Sequence, residues 1–64
     1  MGQVVEIFAH DGRFRRLEVV DEKGRHLTVK YDFFSVQLQV GKKYLVELSK
    51  QSTGLMLLSF EEVK

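Results

Sequence analysis

The chain has 64 residues, 44% of them hydrophobic and 30% charged, with a net charge of +1 and no cysteine. Such a composition folds around one small core and excludes disorder, disulfide staples and thiolate metal sites. A balance this close to neutral also excludes an overall basic field, so a nucleic-acid role requires local clustering of cations.

No apolar run approaches the roughly 18 residues of a membrane span, and Met1–Glu6 lacks the basic start and long apolar stretch of a signal peptide. The expectation is one cytoplasmic, soluble domain over residues 1–64, with no membrane contact.

In chain order, Val5, Ile7 and Ala9 alternate with Val4, Glu6 and Phe8, the period of two that marks a half-buried strand. His10-Asp11-Gly12-Arg13 follows as a polar hairpin turn with Gly12 free to take positive φ. A second strand places Leu17 and Val19 inward and Arg16, Glu18 and Val20 outward. After the Lys23-Gly24 turn, Leu27, Val29, Tyr31 and Phe33 alternate with His26, Thr28, Lys30 and Asp32 in a third. Phe34 to Val40 reads as an irregular connector, its Val36, Leu38 and Val40 plugging the core. Gly41-Lys42-Lys43 opens a fourth strand with Tyr44, Val46 and Leu48 inward. Gly54, after Ser52-Thr53, turns the chain into a fifth, the apolar run Leu55–Phe60.

Five short strands cannot form a flat sheet without exposing hydrophobic edges and one face. The predicted fold is therefore all-β, a small five-stranded closed barrel, OB-fold-like, with an SH3-like barrel as the alternative.

The stretches Gly2-Gln3-Val4-Val5-Glu6, Phe14 to Glu18 followed by Lys23-Gly24-Arg25-His26, and Leu38-Gln39-Val40-Gly41-Lys42-Lys43-Tyr44-Leu45-Val46-Glu47-Leu48 together resemble the OB-folds of bacterial translation initiation factor one and its ribosomal and cold-shock relatives. The resemblance covers most of the chain. It rests on structural positions, namely glycines at turns and alternating core residues. The chain differs from that factor in its short segment between strands three and four, and in an apolar Leu55-Met56-Leu57-Leu58 where the factor is arginine-rich. The resemblance implies RNA or single-stranded DNA binding through strands two and three and their flanking loops.

The stretch His10-Asp11-Gly12-Arg13-Phe14-Arg15-Arg16 is the densest chemical cluster in the sequence. Zinc requires three or four converging ligands, and only His10 and Asp11 stand close together, with His26 the sole other histidine. No metal and no cofactor is expected. A Gly-x-Ser-x-Gly nucleophile elbow is absent, and a chain this short has little room for a substrate pocket, so the chain reads as non-enzymatic.

Phe14 and Arg16 follow the turn on a strand whose outward side they share with Glu18, beside Phe8 on strand one. An exposed ring next to a cation suits unstacked bases, since the ring stacks on the base and the cation holds phosphate. The candidate nucleic-acid residues are Phe8, Phe14, Arg16, Arg25, Lys30 and Lys43, and binding with little base selectivity is expected. A strand bulge turning Phe8 or Phe14 into the core is the competing reading. The second functional reading is a protein interface or homodimer using outward Leu45, Leu55 and Leu57, because strand five is apolar on both faces and a barrel buries only one.

Overall fold

The computed structural model describes residues 2–33 and 37–64, and the chain is all-β. β1 (Gln3–Asp11), β2 (Arg16–Asp21), β3 (His26–Lys30), β4 (Lys43–Gln51) and β5 (Gly54–Glu62) close into a barrel in the order β1-β2-β3-β5-β4. Every neighbouring pair is antiparallel except β3 and β5, which run parallel over Val29↔Leu55 and Lys30↔Met56.

The inward positions are filled largely by β-branched and aromatic side chains, which suit a pleated, packed surface. Val5, Ile7, Leu17, Val19, Val29, Tyr31, Leu38, Tyr44, Val46 and Leu57 are buried, while Leu27, Phe33, Leu48 and Leu55 pack partly buried against them. Val5, Ile7, Leu17, Val19, Val29, Tyr31, Tyr44 and Val46 thus lie where alternation places them. The interior keeps a void of only about 10 Å³, at the limit of what one water needs. The barrel is consequently a solid wall, and its chemistry lies on the outside.

Two bulges set which residues face out. Between β1 and β2 the register passes from Ile7↔Val19 to Ala9↔Glu18, leaving Phe8 as the extra residue. Phe8 remains 63% exposed, so the bulge does not carry it into the core. Its effect falls on the following positions, because one inserted residue inverts the alternation. Ala9, expected inward, is exposed, and His10 turns to the inner side instead.

Between β4 and β5 the register passes from Glu47↔Ser59 to Leu48↔Leu57, with Leu58 as the extra residue. Leu57, expected outward, is therefore buried opposite Leu48, and Leu55 is half-buried against the core. Leu58 is exposed in their place.

The connector is also corrected in part. Leu38 is buried as expected, but Val40 is 60% exposed, where residues 40 and 41 turn into β4 and the Gly41 amide donates to the Ile7 carbonyl (2.8 Å), extending the β1–β4 pairing. Phe34 and Val36 lie outside the described residues. The third strand ends at Lys30 rather than Phe33, where the Tyr31 amide donates to the Arg15 carbonyl (3.1 Å).

Candidate nucleic-acid interface

The β2–β3 hairpin is locked from within its own sequence. Asp21 Oδ1 accepts from the Lys23 and Arg25 amides (2.9 Å each), Oδ2 accepts from Arg25 Nε (2.8 Å), and the Gly24 amide donates to the Asp21 carbonyl (3.0 Å). Gly24 takes the left-handed conformation at φ 80°, as the residue closing a type I turn with a following bulge requires. The Arg25 amide, with help from the Arg25 side chain and the Lys23 amide, holds the Asp21 carboxyl below its ordinary 3.8 against the opposing push of burial.

The β1–β2 hairpin is built differently. Asp11 Oδ1 accepts from the Arg13 and Phe14 amides (3.1 and 3.3 Å), and the loop runs over residues 12–15. The left-handed residue is not Gly12, as expected, but Arg15 at φ 53°. A side chain in that region costs on the order of 1 kcal/mol or more. This geometry swings Phe14 clear of the barrel, 65% exposed.

The opening cluster is thereby divided among separate tasks. His10 faces inward, its Nε2 2.7 Å from the Tyr31 hydroxyl oxygen. Asp11 shapes the loop. Phe14 and Arg16 face solvent together, with the guanidinium carbon 5.8 Å from the ring centroid, within cation–π range. Lys30 lies directly across from Arg16 on β3.

A second pair stands farther along the same wall. The rings of Phe8 and His26 meet edge to face at 5.6 Å, and His26 is opposite Val20 on β2. Arg16 and Val20 are four residues apart, about 13 Å at ~3.3 Å per strand residue. Phe8 and Phe14 are therefore not side by side, as the alternation suggests; each has its own polar companion at one end of β2. Between them lies a row formed by Ala9, Glu18 and Thr28, in which the Thr28 hydroxyl donates to both Glu18 oxygens (3.2 and 2.9 Å).

The remaining candidates lie apart from these pairs. Arg25 adjoins His26, with its Nε engaged by Asp21. Lys43 is across from Glu6 on the far side of β1, lining an open cleft of about 340 Å³ with Val4, Val20 and Glu22. Sequence reasoning put His26, Thr28 and Glu18 on the outer side without assigning them to the site. The cross-strand register, which alternation does not encode, is what brings them between the two rings.

The opposite wall has another character. Leu45 is 43% and Leu58 54% exposed, and a groove of about 280 Å³ is bounded by Gly2, Leu45, Glu47, Ser59, Phe60 and Glu61. Its charged groups are carboxylates. Among the described residues, no group of three histidines, aspartates or glutamates stands close enough to hold a metal ion, and no helix is long and apolar enough to cross a membrane. No protein-family model matches the chain, and no curated protein or solved structure matches it.

Proposed function

We propose that the chain is an OB-type barrel that binds single-stranded nucleic acid, RNA or DNA, across the outer wall of β1, β2 and β3. The observation that carries this reading is the exposed Phe14 ring paired with Arg16 and flanked by Lys30, a stacking surface beside two cations. The Phe8–His26 pair supplies a second stacking surface on the same wall. Base–aromatic stacking contributes about 1–3 kcal/mol per base, and the adjoining cations hold phosphate. Support for an OB rather than SH3-like arrangement comes from the parallel β3–β5 pair and the β1–β4 closure, and the likeness to initiation-factor-one and cold-shock barrels belongs to the same proposal. On this reading the protein is a non-enzymatic binding module of the cytoplasm.

The test is titration of a fluorescent single strand of about ten nucleotides, within the site size of one such barrel, at several salt concentrations. Three or four phosphate contacts predict saturable binding whose log affinity falls against log salt with a slope of roughly −2 to −3. Absence of saturable binding at low salt sinks the reading.

A specific observation also favours a second reading, in which the protein wall of β4 and β5 meets a protein partner or a second copy. Leu45 is exposed in a groove it shares with Glu47, Phe60 and Glu61, and Leu58 is exposed farther along β5; exposed apolar area marks interfaces when it is contiguous. Sedimentation of the protein at high concentration, with and without Leu45→Lys, reads out the homodimer form of this idea.

A further inference from the structure

The row between the two ring pairs contains a group that a plain phosphate-binding surface has no use for. Glu18 sits half-buried on β2, with Arg16 and Lys30 toward one end of the wall and Phe8 and His26 toward the other. Among the described residues no cation is within ion-pair distance of it, the ion pairs there being Arg25–Asp21 and Lys42–Glu62. Its carboxylate is nevertheless held in place, because the Thr28 hydroxyl reaches both oxygens. The neighbour on its other side is Ala9, which the Phe8 bulge turns outward and whose methyl group leaves the carboxylate open to solvent.

We infer that Glu18 reads a base: it accepts a hydrogen bond from an exocyclic amino group, so that strands with amino-bearing bases, cytosine above all, bind better than thymine or uracil strands. This rests on the single-strand reading of the same wall. A carboxylate repels phosphate, so a strand crossing here turns its bases, not its backbone, toward Glu18. The N4 amino group of cytosine is a donor that pairs with Glu and Asp side chains. Thymine and uracil present a carbonyl oxygen at the equivalent position, which meets a carboxylate as one acceptor meets another. Each carboxylate oxygen has a lone pair left after bonding Thr28. Stacking alone discriminates little, since every base has a π-face, so the selectivity is confined to the base that lies between the two rings.

The experiment compares oligo(dC) with oligo(dT), each of about ten nucleotides, on the unaltered protein, on Glu18→Gln and on Thr28→Val. A hydrogen bond to a charged group at one base position predicts that oligo(dC) binds about tenfold more tightly than oligo(dT). Glu18→Gln should bring the ratio close to one, because an amide both donates and accepts and serves either base, so that oligo(dC) loses its charge-assisted bond while oligo(dT) loses a repulsion. Thr28→Val should reduce the ratio partway by releasing the carboxylate from its fixed orientation. Equal affinities for the two strands, or a preference that survives Glu18→Gln, overturns the assignment to Glu18 and leaves strand binding standing. Failure of both strands to bind overturns the single-strand reading itself and this inference with it.

Discussion

The two walls of this barrel are made by the same device and come out chemically opposed. On the β1–β2–β3 wall a bulge at Phe8 leaves a ring in solvent, and the neighbouring outward positions hold Arg16, Lys30, His26 and Phe14, with the Glu18 carboxylate set between them. On the β4–β5 wall a bulge at Leu58 leaves an aliphatic side chain in solvent, and the outward neighbours are Leu45, Glu47, Ser59 and Glu61. Rings beside cations suit bases and phosphates, whereas leucines beside carboxylates repel a polyanion. The difference teaches that the bulge supplies exposure alone; which partner an exposed residue suits is decided by the charges that the register sets around it.

The strongest perturbation removes the floor that both walls share. Ile7 is 1% exposed and immediately precedes the Phe8 bulge. Ile7→Ala should cost about 2–5 kcal/mol in a denaturant melt, against a total of roughly 3–10 kcal/mol for a chain of this length, and both surfaces should be lost together. A variant that melts like the parent would contradict the packing described for β1.

Two substitutions on the first wall separate stacking from charge. Phe14→Ala should weaken strand binding by about 1–3 kcal/mol and keep the salt slope. Arg16→Ala should make that slope shallower by about 0.7, one phosphate contact on a single strand. Leu45→Lys on the opposite wall should change neither. Identical losses from all three, seen in salt-dependent titrations, would erase the distinction between the walls.

The hairpin that presents His26 predicts a pH dependence. Folding holds the Asp21 carboxyl below 3.8, so in acid the unfolded chain takes up its proton first. The stabilisation is complete above about pH 5 and is lost as pH falls through the ordinary carboxylate value and on through the lower folded one. Asp21→Asn should be less stable than the parent at neutral pH, and the gap should narrow toward pH 2; a gap independent of pH in urea melts would count against this hairpin lock.

The smallest effect concerns the hairpin that presents Phe14. Gly12 does not use positive φ, and a Cβ there meets nothing within 4 Å. Gly12→Ala should therefore stabilise by about 0.4–1 kcal/mol through the unfolded chain and leave binding intact. A thermal melt showing destabilisation would mean that the loop needs the glycine after all.

Period-two alternation was enough to place five strands, most of the core and the barrel class, because inward Val, Leu and Tyr recur without interruption through β2, β3 and β4. It failed beside each bulge, at Ala9, one residue past Phe8, and at Leu57, one residue before Leu58, where four successive apolar residues give no phase to read. It also misjudged the Asp11-Gly12 pair. That dipeptide favours a tight two-residue turn, yet Asp11 caps a longer loop and the left-handed residue falls at Arg15. Of the candidate site, Phe8, Phe14, Arg16 and Lys30 were legible as outward residues. The pairing of Phe8 with His26 and the seat of Glu18 against Thr28 follow from cross-strand register, which is a property of the closed barrel and not of any one strand.

The most direct test of the central claim maps a single strand onto the two walls. Amide chemical shifts of the 15N-labelled protein, followed while oligo(dC) of about ten nucleotides is added at low salt, should move at Phe8, from Phe14 to Glu18 and from His26 to Lys30, and stay fixed at Leu45, Glu47 and Leu58 to Glu61. Shifts concentrated on β4 and β5, or spread evenly over both walls, would contradict it.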